Sequence, residues 1–143
     1  MERDIDARVI DYWIGKEEGG EEYDLIRDCV VLYGLDRMEV EELVGRVKKG
    51  IEFLDAIYGS RWVREIDLDY LDMSSAKADV CGQIEGYMWL LLDKYNKTYE
   101  DAVSMGFALP LGVYKTGEEK QRRYKVLTEI WKWYIKKRRG LEE

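Results

Sequence analysis

Apolar residues recur along this chain every three or four positions, the period of helices that each bury one face. Residues 4–14 place Ile5, Val9, Tyr12 and Trp13 in that register before the solvated, glycine-rich "GKEEGGEE". Residues 22–33 repeat it with Leu25, Ile26, Cys29, Val30 and Tyr33, and Gly34 supplies a left-handed terminator. Asp36 caps a third helix whose Val40, Leu43, Val44, Val47, Ile51, Leu54 and Tyr58 form the longest regular stripe, ending at Gly59. "SRWVREIDLDYLD" alternates over residues 66–71 but has no partner strand, so it reads as an irregular connector with a helical turn.

The spacing of Val80, Ile84, Tyr87, Met88, Leu91 and Tyr95 predicts one helix from Ser75 to about Tyr95, at the centre of the bundle. Thr98 and Asp101 have capping-box spacing, and Gly106 followed by Phe107 suits the end of a short helix. "ALPLGVYKTG", with the only proline, is a loop. Thr116 and Glu119 then open a last helix lined by Tyr124, Leu127, Ile130, Trp131 and Tyr134, with cations at its negative pole and Gly140 as terminator. The expected fold is all-α: a compact single domain, residues 1–143, of five to seven helices, with residues 1–45 as an N-terminal helical extension.

Composition narrows the chemistry. A chain of 143 residues with 46% hydrophobic and 37% charged residues suits one folded core. Net charge −7 disfavours broad nucleic-acid binding and favours basic or protein partners. There is no membrane-spanning apolar run and no signal-peptide pattern, so a cytoplasmic protein is expected. Histidine is absent, which removes Ser-His-Asp and Cys-His pairs and imidazole-dependent zinc sites. Cys29 and Cys81 have no CxxC spacing and read as buried thiols. No metal or cofactor is expected.

The stretch "LDMSSAKADVCGQIEG", residues 71–86, concentrates the polar chemistry. On a helical wheel Ala78, Gly82 and Gly86 form a small-residue face opposite the apolar one. Interior glycines weaken a helix by about 1 kcal/mol each, so something should approach the backbone there. One reading has Ser74 or Ser75 capping the helix while another helix crosses the stripe. The other has Ser74, Ser75, Ala78, Cys81, Gly82, Gln83 and Gly86 lining a ligand pocket.

Elsewhere, "EEGGEE" and "EVEE" lack the ligand alternation of a calcium loop, and Asp67, Asp69 and Asp72 read as turn-forming acids. "KWYIKKRR" joins Lys132, Lys136, Lys137, Arg138 and Arg139 to Trp133 and Tyr134, a set able to hold phosphates and stack bases. Five tryptophans and eleven tyrosines exceed what one small core readily hides, which points to a protein interface or self-association.

"RVKKGIEFLD", Trp62, "IDLDYLDMSS", "CGQ" at 81–83, "YEDAVSMGF" and "LTEIWKWYI" together resemble small uncharacterised proteins of bacteriophage and prophage genomes, especially of actinobacterial phages. The resemblance covers roughly residues 46–135, and its most specific parts are LDxSS, the cysteine-Gly-Gln, AVxxGF and LTxxW. It brings no assigned catalytic or binding residue. Many such proteins carry another cysteine where this chain has Lys77 and Ala78, which weighs against redox or metal chemistry here. The resemblance implies a phage accessory gene.

The function expected first is therefore a non-enzymatic phage or prophage accessory protein that binds a host or phage protein, as a defence inhibitor or host-takeover factor, with self-association open. A small-ligand or nucleotide-binding protein, enzymatic or not, with a pocket along Ser75, Ala78, Gly82 and Gly86 is the alternative. Nucleic-acid contact through the basic C-terminal helix is the third reading.

Overall fold

The computed structural model describes residues 21–142, so the helix expected at residues 4–14 lies outside the described residues. The described residues are all-α, as the periodicity predicts: α1 (Glu21–Tyr33), α2 (Arg37–Tyr58), a 3-10 helix (Ser60–Glu65), α3 (Val80–Glu85), α4 (Met88–Lys94), α5 (Tyr99–Ser104) and α6 (Gly117–Glu142). The chain divides into two compact units, residues 1–41 and 42–143, with the division inside α2.

In the first unit α1 carries Glu21, Glu22 and Asp24 in its first turn, where carboxylates favour the positive end of the helix dipole. It buries Tyr23, Leu25, Ile26 and Cys29. Gly34, at φ +67°, ends it by donating its N–H to the Val30 carbonyl at 2.9 Å. Asp36 caps α2 as expected, its carboxylate accepting from the Met38 N–H at 3.1 Å.

The second unit is assembled around Trp131 of α6. The indole is fully buried, its Nε1–H donates to the Gly106 carbonyl at 2.7 Å, and its ring stacks on Phe107 at 5.6 Å. Trp62 of the 3-10 helix meets it edge-on at 6.2 Å. The α2 backbone closes the remaining side through Gly50, where a Cβ would lie 2.1 Å from the Met105 carbonyl oxygen and 3.0 Å from two ring carbons of Trp131. Gly106 is also close to α2: a Cβ there would be 2.8 Å from the Val47 nitrogen.

The turn that presents Gly106 is fixed locally. Thr98 and Asp101 form the predicted capping box at the start of α5. At its end Gly106, at φ +71°, donates to the Val103 carbonyl and Phe107 donates to the Ala102 carbonyl, a Schellman motif that leaves Phe107 fully buried. Local signals thus deliver both the carbonyl and the ring that Trp131 requires.

Three expectations are corrected. The continuous helix over Ser75–Tyr95 is two short helices, because Gly86 at φ +104° and the extended Tyr87 break it. The apolar period survives the break, since Val80 and Cys81 of α3 and Leu91 and Leu92 of α4 are all buried, whereas Tyr87, assigned to the same face, is exposed. Periodicity reports burial, and two segments can bury one side without sharing an axis. Neither Ser74 nor Ser75 caps a helix: the cap is Asp79, whose carboxylate accepts from the Gly82 N–H at 2.6 Å. Gly140 does not terminate α6, which runs on to Glu142.

The close approach at Gly50 yields a paired prediction on one helix. Helix propensity favours alanine over glycine by about 1 kcal/mol, and Gly45 has nothing within 4 Å of a new Cβ. Gly45→Ala should therefore raise stability in urea unfolding by up to about 1 kcal/mol. At Gly50 the clash with backbone overrides propensity, and Gly50→Ala should lower stability by about 3 kcal/mol, the upper part of the usual range for over-packing.

Candidate interaction surface

The serines, glutamine and glycines of residues 71–86 converge, but on the chain itself. Ser74 donates its Oγ–H and its backbone N–H to one Asp72 carboxylate oxygen at 2.6 and 2.9 Å, and the Ser75 Oγ accepts from the Ala78 N–H at 3.2 Å. Gln83 works as a clamp. Its Oε1 accepts from the Asp67 N–H at 2.6 Å, and its Nε2 donates to the Asp67 and Ala78 carbonyls at 3.2 and 3.0 Å. The connector is thereby hydrogen-bonded to α3 through one side chain, which satisfies backbone groups that no sheet or helix would otherwise serve.

What lies against Gly82 is the preceding turn. A Cβ there would sit 2.2 Å from the Ala76 carbonyl oxygen and 2.6 Å from the Lys77 carbonyl. The same Ala76 carbonyl accepts from the Met88 N–H at 2.9 Å and holds the start of α4. The place a ligand or crossing helix would take beside Gly82 is thus filled by residues 76–77. Gly86 is different: it is required by its positive φ, and a Cβ would meet only Leu90 Cδ1 at 3.5 Å.

Two titratable groups are buried here. Cys81 is fully buried, and burial first, with the neighbouring Asp79 second, pushes its thiol well above the ordinary value. That is the reverse of an activated nucleophile. Asp79 is 1% exposed, and burial raises its carboxyl to about 8, with Asp72 adding to the rise and the Gly82 N–H opposing it. Sequence reading missed Asp79, although an aspartate three residues before a glycine at the head of an apolar run is a capping signal in its own right.

The basic C-terminal set is only partly available. Arg138 donates to both carboxylate oxygens of Asp55 at 2.9 and 2.8 Å, and Asp55 also accepts from Trp62 Nε1–H at 2.8 Å. Arg139 donates to the Val63 carbonyl at 2.9 and 2.7 Å and to the Ile66 carbonyl, so it caps the 3-10 helix. These two arginines, named in the third reading as nucleic-acid contacts, are engaged by the fold itself. Lys132 is half-buried, Lys136 is exposed, and Lys137 lies 5.4 Å over Trp133, which meets Tyr134 edge-on.

The break at Gly86 creates a surface that the periodicity did not place. It turns Tyr87 outward at the head of α4, where Tyr87 and Trp89 stack at 5.6 Å with 19° between their planes. Trp89 is 54% exposed, and Leu90 beside it is 39% exposed. Lys77 places its ammonium 5.6 Å over the Tyr87 ring. At the end of α3 the Tyr58 hydroxyl and Lys94 Nζ both donate to Glu85 Oε2, which holds the Glu85 carboxyl below the usual range. Burial and that same acceptor raise the Tyr58 phenol. The sequence did hold a signal: Trp89 and Leu90 fall off the apolar face assigned to the predicted helix.

Among the described residues no cluster of cysteine, aspartate and glutamate is arranged to hold a metal ion, and no helix is long and apolar enough to cross a membrane. No family model, curated protein or solved structure matches the chain.

Asp79 generates a pH prediction. Its folded value of about 8 lies above its ordinary value of 3.8, so the folded chain retains a proton that the unfolded chain releases. The associated stability is complete below about pH 4 and is lost as pH rises through about 8. The urea midpoint should fall between pH 5 and 9, with a slope no steeper than one proton allows, about 1.4 kcal/mol per pH unit. Asp79→Asn should flatten that dependence.

Proposed function

We propose that the chain is a non-enzymatic binding protein that docks on a host or phage protein through the Tyr87, Trp89 and Leu90 ledge. The observation that carries this reading is the stacked, solvent-facing aromatic pair. Tryptophan and tyrosine dominate the energetics of protein interfaces, and a chain that turns such residues outward forgoes the stability of burying them. The reading is supported by the state of the polar stretch: Ser74, Ser75, Gln83 and Asp79 are engaged in backbone hydrogen bonds, and the Cys81 thiol is buried and protonated. It is supported also by the resemblance to phage and prophage accessory proteins, which makes a defence inhibitor or host-takeover factor acting in the host cytoplasm the specific form of the proposal.

Affinity capture from host lysate with the wild-type chain and with the Tyr87→Ala/Trp89→Ala double variant tests the reading. Truncating hot-spot residues weakens binding by 2 kcal/mol or more, roughly 30-fold, so the double variant should lose its partner. Its unfolding free energy should stay within about 0.5 kcal/mol of wild type, the range for exposed positions. Equal recovery of the same partner by both proteins would remove the ledge from the account.

A further inference from the structure

We infer that the solvent face of α6 is a binding track for single-stranded nucleic acid. This surface is separate from the Tyr87 and Trp89 ledge and does not depend on it.

The charge of the chain is unevenly placed. Residues 1–41 carry 13 carboxylates against five cations, whereas residues 42–143 carry 17 against 18 and sum to +1. Within that second unit α6 concentrates nine lysines and arginines against four glutamates. The net charge of −7 therefore does not describe the surface of this helix.

α6 buries Leu127, Ile130, Trp131 and Ile135 completely on its inner side. Lys125, Glu129, Lys132 and Lys136 follow one another by four, three and four residues, which lines them up along the outer side. The three lysines span about 16 Å of the helix, enough to meet several successive phosphates of one strand. Among the described residues none of the three has an ion-pair partner. The track is also held in place by the fold, through Trp131 on Gly106 and Arg138 on Asp55, so binding has only side chains to order.

Two features select the occupant. No large hydrophobic residue of α6 is exposed among the described residues, so this face lacks the apolar anchors on which a protein partner or a membrane surface relies. It does present Trp133, half-buried, with the Lys137 ammonium 5.4 Å over its ring and Tyr134 at its edge. An aromatic ring beside a row of cations is the combination that stacks a base while pairing the strand's phosphates.

Fluorescence anisotropy with the full chain and a labelled oligothymidine, over a range of salt concentrations, tests this. A polyglutamate peptide of equal charge and phosphatidylserine vesicles serve as unlabelled competitors. The oligothymidine should bind with an affinity that falls with salt, and neither competitor should displace it. Each phosphate contact contributes about −0.7 to the slope of log K against log salt for a single strand. Lys125→Gln/Lys132→Gln/Lys136→Gln should therefore make that slope shallower by about 2 and weaken binding roughly 100-fold at 0.1 M salt, with an unchanged urea midpoint. Trp133→Ala should weaken binding roughly five-fold or more at an unchanged slope, because stacking releases no counterions. Glu129→Gln should tighten binding roughly three-fold, a gain that a damaged fold does not produce. The Tyr87→Ala/Trp89→Ala variant should bind as wild type does. Equal slopes for the wild type and the triple lysine variant overturn the inference, as does displacement by either competitor or no binding of oligothymidine. Unchanged affinity in Trp133→Ala overturns the assignment to a single strand, and loss of binding in Tyr87→Ala/Trp89→Ala overturns the assignment to α6.

Discussion

The indole of Trp131 is the fixed point of the unit formed by residues 42–143. Its Nε1–H satisfies the Gly106 carbonyl, its face takes Phe107, its edge takes Trp62, and its remaining side admits only the bare backbone of Gly50. Three separate segments, the 106–107 turn, the 3-10 helix and α2, are therefore positioned by one side chain of α6. A buried carbonyl without its donor is penalised by about 1–3 kcal/mol, and the aromatic contacts add to that from both sides, so displacing the indole disturbs α2, α5, α6 and the 3-10 helix together. The second tie, Arg138 and Trp62 on Asp55, binds the same elements a short way along α6.

What the sequence made legible was whatever is encoded within a few residues. The Thr98 and Asp101 capping box, the Asp36 cap, the left-handed Gly34, Gly59 and Gly106, and the stripe of α2 all act over one turn of helix. What it hid was decided at a distance. Arg138 finds Asp55 from 83 residues away and Gln83 finds Asp67 from 16, and neither pairing leaves a periodic trace. Arg138 and Arg139 looked like cations at a helix end, yet one is held by the Asp55 carboxylate of α2 and the other by the Val63 and Ile66 carbonyls. Thr116 shows an intermediate case: its Oγ accepts from the Glu119 N–H as predicted, while the Glu119 carboxylate accepts from Lys115 N–H instead of from Thr116.

The stretch 71–86 shows why a concentration of Ser, Cys, Gln and Gly is a poor guide to reactivity. An irregular connector has no ladder of its own, and its N–H and carbonyl groups need partners from side chains. Ser74, Ser75, Gln83 and Asp79 supply them, and Gly82 lets the turn close against α3. The consequence for function is indirect. The network holds residues 76–79 against α3, the Ala76 carbonyl accepts from the Met88 N–H at the start of α4, and the break at Gly86 leaves Tyr87 and Trp89 exposed. The polar residues that looked chemical build the support, and Tyr87, which the period assigned to the core, stands exposed beside Trp89.

Trp131 belongs to the framework and Trp89 to the surface, and hydrogen exchange of the indole N–H groups measured by NMR reads both in one experiment. The Trp131 Nε1–H should exchange only through global unfolding, with protection equal to the unfolding free energy measured in urea, whereas the Trp89 Nε1–H should exchange as freely as an exposed indole. Trp131 exchanging as fast as Trp89, or Trp89 protected in the isolated chain, would contradict it.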